Sequence, residues 1–321
     1  MNALVFDSFG GPEVLSLRTL PDPQPGRGEA VVAMRAIGLN FADVYRRRGN
    51  YHLVGSPPYI LGYEGAGTVL RVGPEATVRE GDRVAFADSP WANAEEVLVP
   101  CDKLLPLPEE ISFEVAAAVL LQGLTAQYLV HDSHPLRRGE VAVIHAAAGG
   151  VGSLLVQLCR HLGARVVGLT STEAKRDRIL RLGADAVFAS SSADWPDEVR
   201  ALTGGRGADV VFDSIGKTLL DSLRATRTGG RVVFFGMAGG NPPPVDPRVL
   251  MDASLSLTGG DLWNVLTSRE ERRARAATLF GWVRSGTINV EVSRTFPLKD
   301  GAGAHRVLES GSTTGKLLLI P

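Results

Sequence analysis

Two cysteines in 321 residues, Cys101 and Cys159, are too few and too far apart for a disulfide framework or a cysteine-rich zinc site. Cys159, inside an apolar helical pattern, reads as a small buried residue. Charge of one sign is not in excess either: 34 Lys and Arg face 35 Asp and Glu, so the basic footprint of a nucleic-acid binder is missing. No apolar run is read as approaching the roughly 18 residues of a membrane-spanning helix. Met1 leads into a strand-like Ala3 to Phe6 without a charged and then apolar leader, so a cytoplasmic protein with neither membrane nor nucleic-acid partners is expected. What is present is an ordinary globular composition, 44% apolar.

Residues 1 to about 120 are rich in Gly, Pro and short β-type runs, at Ala30 to Ala36, Gly65 to Val72, Arg83 to Ala87 and Glu95 to Val99, and read as an irregular β domain. From about 122 to 261 strands and helices alternate, with later strands at Ala186 to Ala189, Ala208 to Ser214, Arg231 to Gly236 and Ser254 to Thr258. That is the pattern of a doubly wound α/β domain. Ser268-Arg-Glu-Glu271 reads as a capping box opening a helix that stops near Gly286. Val290 to Phe296 and Lys316 to Ile320 are strand-like again and most simply rejoin the first domain, giving expected boundaries of 1–121 with 262–321, and 122–261.

The junction of one strand and helix carries chemistry. Val141 to Ile144 is a short apolar run of the kind buried in a parallel sheet, and Val151, Leu154, Leu155, Leu158 and Leu162 follow at helical spacing. Between them, Gly149 and Gly150 lack the Cβ that would keep phosphate oxygens from the backbone, and the helix N-terminus faces the same anion. Gly152 allows close helix-to-strand packing. This is the layout of a dinucleotide pyrophosphate site, with Ala146 or Ala147 standing where the G-x-G-x-x-G pattern has its first glycine. The second strand, Arg165 to Thr170, ends in Ser171 and Thr172, with no Asp or Glu to receive a ribose 2′-OH. With Lys175 in the following helix, Glu173 to Leu182, these hydroxyls favour the 2′-phosphate of NADPH over NADH.

The whole chain resembles the zinc-free quinone oxidoreductase, zeta-crystallin-like, branch of the medium-chain dehydrogenase/reductase superfamily. The resemblance is carried by Gly38-Leu-Asn-Phe-Ala-Asp43 with Tyr45 and Arg-Gly-Asn-Tyr51, by Gly62-Tyr-Glu-Gly-Ala-Gly67, Gly81-Asp-Arg-Val84 and Gln122-Gly-Leu-Thr125, and by His145-Ala-Ala-Ala-Gly-Gly-Val-Gly152 and Val211-Phe-Asp-Ser214. It implies a GroES-like catalytic domain split between the chain ends, a Rossmann domain between them, and a cofactor in the cleft. The cofactor contacts it implies are Thr125, Ala148, Gly149, Gly150, Val151, Gly152, Ser171, Lys175, Ser214, Phe235 and Gly236. Trp195 takes a position where related enzymes often carry a tyrosine beside the adenosine phosphate.

Catalytic zinc needs a cysteine, a histidine and a further cysteine or carboxylate at one open site. Asn40 stands where the zinc-dependent branch has its first cysteine, Tyr63 where it has the histidine, and neither Leu121 nor Gln122 can replace the later thiolate. Glu64 remains and reads as a hydrogen-bonded structural carboxylate. Without a Lewis acid the expected acceptors are those needing little activation, quinones first, with conjugated enones, enals or enoyl thioesters as the alternative. Asn40, Tyr45 and Tyr51 are the candidate hydrogen-bond donors to the acceptor oxygen, in a segment read as a loop. Arg46-Arg-Arg48 reads as a solvated face, and His131, His134 and His145 as structural. A homodimer is expected through the apolar edge strand at Ser254 to Thr258. A binding role, in which an RNA-binding or crystallin-like protein keeps the dinucleotide site, is the reading from another class.

Overall fold

The longest apolar alternation, Glu29–Leu39, becomes the central strand of a seven-stranded sheet, and the shorter all-apolar runs after residue 140 become a parallel one. The computed structural model describes all 321 residues. They divide into two units: Met1–Leu124 with Leu266–Arg284 and Val290–Pro321, and Thr125–Val265 with Ser285–Asn289. The exchange points fall a few residues beyond 121 and 261, and the short stretch after the capping-box helix belongs to the second unit.

The chain opens with β1 (Asn2–Phe6), β2 (Ser16–Thr19), β3 (Glu29–Leu39), α1 (Phe41–Arg47), β4 (Tyr59–Ile60), β5 (Gly65–Val72), β6 (Arg83–Phe86), β7 (Glu96–Pro100), β8 (Leu105–Pro106) and α2 (Phe113–Tyr128). The second unit contributes β9 (Val141–Ile144), α3 (Gly150–His161), β10 (Arg165–Thr170), α4 (Arg176–Arg181), β11 (Ala186–Ala189), α5 (Trp195–Leu202), β12 (Ala208–Asp213), α6 (Leu219–Ala225), β13 (Thr226–Phe234), α7 (Pro247–Asp252) and β14 (Ser256–Gly259). The chain then adds α8 (Arg269–Arg284), β15 (Val292–Pro297), α9 (Gly301–Glu309) and β16 (Lys316–Ile320).

In the second unit all strand pairs are parallel in the order β11-β10-β9-β12-β13-β14, the doubly wound arrangement whose carboxyl ends receive ligands where the order reverses. Val143 lies between Val167 and Val211 in register, and its core also holds Trp195, Leu223 and Val232. In the first unit the order is β15-β16-β3-β5-β6-β8, with β7 also on β3 and a separate β2-β1-β4 sheet. Phe6, Leu39, Phe86 and Leu319 lie in its core.

Two expectations are corrected, and one helix is added. The segment from Asn40 toward Tyr51 is not a loop: Asp43, at the third helical position, accepts the backbone N–H of Asn40 at 3.0 Å and sets the start of α1. Helix α9 was not foreseen, because its Gly-Ala-Gly-Ala opening has poor helix propensity. The segment Phe113–Ser133 is 21 residues long and contains an 18-residue window with a mean hydropathy of 1.4, enough to cross a bilayer by length and composition. Gln122 and Gln127 hid this by interrupting the run. Ala116 to Leu120 are fully buried within the protein, as in a core helix.

Candidate active site

At the carboxyl end of β9 the chain turns sharply, and the residue that takes the left-handed conformation is Ala146, with φ of 46°. Counted back from Gly152 and Gly149 in the G-x-G-x-x-G spacing, Ala147 takes the place of the first glycine, so the left-handed residue is the one just before it. Gly149 accepts the amide of Ser153 at 2.9 Å, so the amides of Gly150, Val151 and Gly152 precede the intrahelical ladder of α3. A Cβ on Gly152 would lie 2.2 Å from the carbonyl oxygen of Ala146, which explains why only glycine serves there. Ala148 lies within this turn, and Ser214 follows the end of β12, the strand next to β9. Phe235 and Gly236 stand beside Ser214: the amide of Phe235 donates to Asp213, and a Cβ on Gly236 would meet the Ser214 carbonyl at 3.1 Å. Such a cradle, with exposed helix amides and space kept free of Cβ atoms, fits a dinucleotide diphosphate.

After β10, Ser171 and Thr172 are exposed, and Lys175 ends a short 3-10 turn that precedes α4. Partial burial lowers the Lys175 ammonium from its usual range, and that of the Arg178 guanidinium likewise, with Arg181 adding to the latter. Arg178 follows Lys175 by three residues, on α4. Trp195 is buried with its ring edge-on to His145 at 5.2 Å. His145 in turn meets Ser222 Oγ at 2.9 Å, and Ser222 donates to Asp213 at 2.7 Å. Asp213 also accepts the amides of Ile215 and Gly216 at 2.8 and 3.1 Å, which fixes the chain immediately after Ser214.

In the first unit, three neighbouring strands bring together residues distant in sequence. The pairing of Leu317 with Leu39 sets Lys316 opposite Asn40, and the pairing of Ile37 with Gly65 sets Glu64 opposite Gly38. Lys316 Nζ donates to Glu64 Oε2 at 2.6 Å and to Asn40 Oδ1 at 2.8 Å. Asn40 Nδ2 donates to Glu64 Oε2 at 2.9 Å and to the Gly38 carbonyl at 3.2 Å, while Gln122 Nε2 donates to Asn40 Oδ1 at 3.1 Å. Glu64 Oε1 accepts the amide of Leu121 at 2.6 Å. All of this depends on Gly38, where a Cβ would stand 2.2 Å from Glu64 Oε2. Burial lowers the Lys316 ammonium and Glu64 works against that shift; burial raises the Asp43 carboxyl, and Arg46 opposes it.

Tyr45 lies on α1 with its ring 6.2 Å from Phe41 and edge-on to Tyr51 at 6.4 Å, so the two candidate phenols are brought together. Asn40 is not available in the same way, since both its amide hydrogens are committed to Glu64 and Gly38. Its expected donation to an acceptor oxygen is corrected to membership of the buried cluster. Arg46 and Arg47 are fully buried, against the expectation of a solvated face, and only Arg48 is exposed. Arg47 donates to the Gly10 carbonyl at 3.1 Å and to Glu309, and meets His305 Nδ1 at 2.8 Å. No three His, Cys, Asp or Glu side chains gather as a metal cage. A surface depression of 440 Å³ lined by Arg200, Gly205, Arg206, Arg227 and Thr228 lies at the other ends of the parallel strands, where Asp209 already pairs with Arg206 and Arg227.

The model of the alcohol dehydrogenase GroES-like domain matches residues 26–138 and that of the zinc-binding dehydrogenase matches residues 150–281. A quinone oxidoreductase of Pseudomonas aeruginosa is 41% identical over 98% of both chains. The chain belongs to the quinone oxidoreductase branch of the medium-chain dehydrogenase/reductase superfamily. Within this family, a 2-haloacrylate reductase of a Burkholderia species is 38% identical over 99% of this chain and 98% of its own. The crystal structure of an Escherichia coli quinone oxidoreductase complexed with NADPH superposes with a TM-score of 0.97, at 38% identity and full coverage of both chains. The fold is thus the α/β pairing of a GroES-like and a Rossmann domain. Lys316, the centre of the buried cluster, went unnoticed in the sequence. Its signal is a lone lysine heading an otherwise apolar strand.

Proposed function

We propose that this member of the family is an NADPH-dependent quinone oxidoreductase that works without zinc. The observation that carries the cofactor choice is the end of β10, where Ser171 rather than a carboxylate follows the strand, with Thr172 and Lys175 close by and Glu173 set in the next turn, paired with Arg176. The NADPH complex of the related Escherichia coli enzyme supports it. Gly149, Gly150, Val151 and Gly152 hold the diphosphate, with Thr125, Ala148, Ser214, Phe235 and Gly236 around it. When bound, the reduced nicotinamide supplies a hydride.

The acceptor meets Tyr51 and Tyr45. Hydride addition to a quinone leaves negative charge on an oxygen in a ring that becomes aromatic, so a phenolic donor suffices where a simple ketone would need a metal. Tyr51 donates to that oxygen, Tyr45 forms an aromatic wall beside it, and water supplies the remaining proton. Reduction of conjugated enones, enals or enoyl thioesters is the second reading, supported by the 2-haloacrylate reductase relative, since haloacrylate is itself an activated alkene.

Two further features belong to the same proposal. The chain pairs as a homodimer through β14, one of the two edge strands of the parallel sheet, which follows α7 with its exposed Val249 and Met251. It resides in the cytoplasm, a setting that suits the two buried free thiols. The deciding experiment titrates NADPH and NADH by fluorescence and then compares turnover on a small quinone, a short enone and an enoyl thioester. NADPH should bind more tightly, and Lys175→Glu should erase that preference. Equal affinities in the wild type, or no turnover on any of the three acceptors, would overturn the reading.

A further inference from the structure

The buried guanidinium of Arg46 has no place in the zinc-free chemistry described so far, yet it lies at the centre of the acceptor-binding segment. Its carbon Cζ stands 3.7 Å from the ring centroid of Tyr63 and 5.0 Å from that of Tyr51. Its Nε donates to the carbonyl of His52 at 3.1 Å, and the ring of His52 lies 3.9 Å from that of Tyr51. Asp43, one turn earlier on α1, is the only carboxylate paired with it, through a long contact of 3.4 Å. A guanidinium keeps its proton under all ordinary conditions, so this is a fixed positive charge enclosed with two aromatic rings. Desolvation is costly for such a group, and a neutral side chain could fill the same space.

We propose that Arg46 is a positioning residue for hydride acceptance: its charge and planar face hold the rings of Tyr51 and Tyr63 and the backbone at His52, and thereby set where the Tyr51 phenol stands and how strongly it donates. The effect is directional. A cation beside the ring makes the phenolic proton a better donor to an oxygen gaining negative charge, and the bond to His52 keeps Tyr51 from swinging with its segment. Arg46 touches neither acceptor nor cofactor in this account, and the inference rests on the proposed role of Tyr51.

The test is a double-mutant cycle on the full-length protein, with NADPH and 1,4-benzoquinone as the probes. Tyr51→Phe should lower kcat by about tenfold to a hundredfold, and Arg46→Met by about tenfold, with the KM for NADPH unmoved in both. The double variant should be no slower than Tyr51→Phe alone, because Arg46 acts through the phenol that is already gone. Arg46→Lys, which keeps the cation, should recover part of what Arg46→Met loses. If Arg46→Met does not fold, Arg46→Lys carries the same cycle with a smaller fall, about threefold. Losses that multiply in the double variant, or a lysine variant no better than methionine, would overturn the inference. Wild-type turnover in Tyr51→Phe would instead remove the proposed acceptor contact itself, and the single variant shows that separately.

Discussion

The first unit buries Lys316 and Arg46 against Glu64 and Asp43, whereas the second buries Asp213 with no lysine or arginine beside it. In the second unit the carboxylate is held by the amides of Ile215 and Gly216, the hydroxyls of Thr218 and Ser222, and His145 at 3.8 Å. Burial works to raise Asp213, but His145, Ser222 and those amides outweigh it and hold the carboxyl below its usual value. One cluster is a set of charges that need each other; the other spreads one charge over several donors. The first should therefore fail when any member is removed, and the second should lose stability in small steps.

The largest expected effect follows from Lys316→Met, which leaves Glu64 buried without its cation and should cost about 3–5 kcal/mol in urea unfolding. Adding Glu64→Gln should restore part of it, since an amide oxygen can still accept from Leu121. No recovery in the double variant would break the picture of a charge-balanced cluster.

Next in size is a pH dependence in the first unit. Burial, and then the nearby Arg47, push His305 down to about 3, so it accepts the Arg47 hydrogen bond as a neutral ring. The unfolded chain takes up a proton near pH 6.5 that the folded protein refuses, so stability present above that value declines as pH falls toward 3. The slope is about 1.4 kcal/mol per pH unit for one such group. His145 is lowered by burial, against Asp213, and adds in the same direction. His305→Gln should flatten the urea midpoint between pH 7 and pH 5. An unchanged slope would count against the neutral-ring assignment.

Smaller still is Ser222→Ala in the second unit, expected to cost about 1 kcal/mol because Asp213 keeps its other donors. A loss as large as that of Lys316→Met would erase the contrast between the clusters. The smallest effect is a gain: Ala146→Gly should raise stability by about 0.5–1 kcal/mol by relieving a left-handed alanine, read as a small rise in melting temperature.

The same contrast decides what could be read in advance. The cofactor end of the second unit is local chemistry: Val141 to Gly152 is one continuous stretch in which strand, turn and helix each carry their own residue preferences. Even so, the left-handed backbone at Ala146 is not announced by that stretch. The first unit's cluster depends on strand pairing, and the bond from Lys316 to Asn40 spans 276 residues. Nothing in the spacing of the sequence announces which strands are neighbours. The misreading of Arg46 and Arg47 has the same origin, since a run of three arginines looks solvated until α9 and the aromatic rings of Tyr51 and Tyr63 cover two of them.

The proposed chemistry, with Tyr51 and Tyr45 at the acceptor and no metal, restricts the protein to acceptors that need no Lewis acid. The direct measurement is NADPH oxidation by chelator-treated, metal-analysed protein, with 1,4-benzoquinone and with cyclohexanone. Full quinone turnover and almost no cyclohexanone turnover are predicted. Efficient reduction of cyclohexanone by metal-free protein, or loss of quinone turnover on chelation that added zinc restores, would contradict the account.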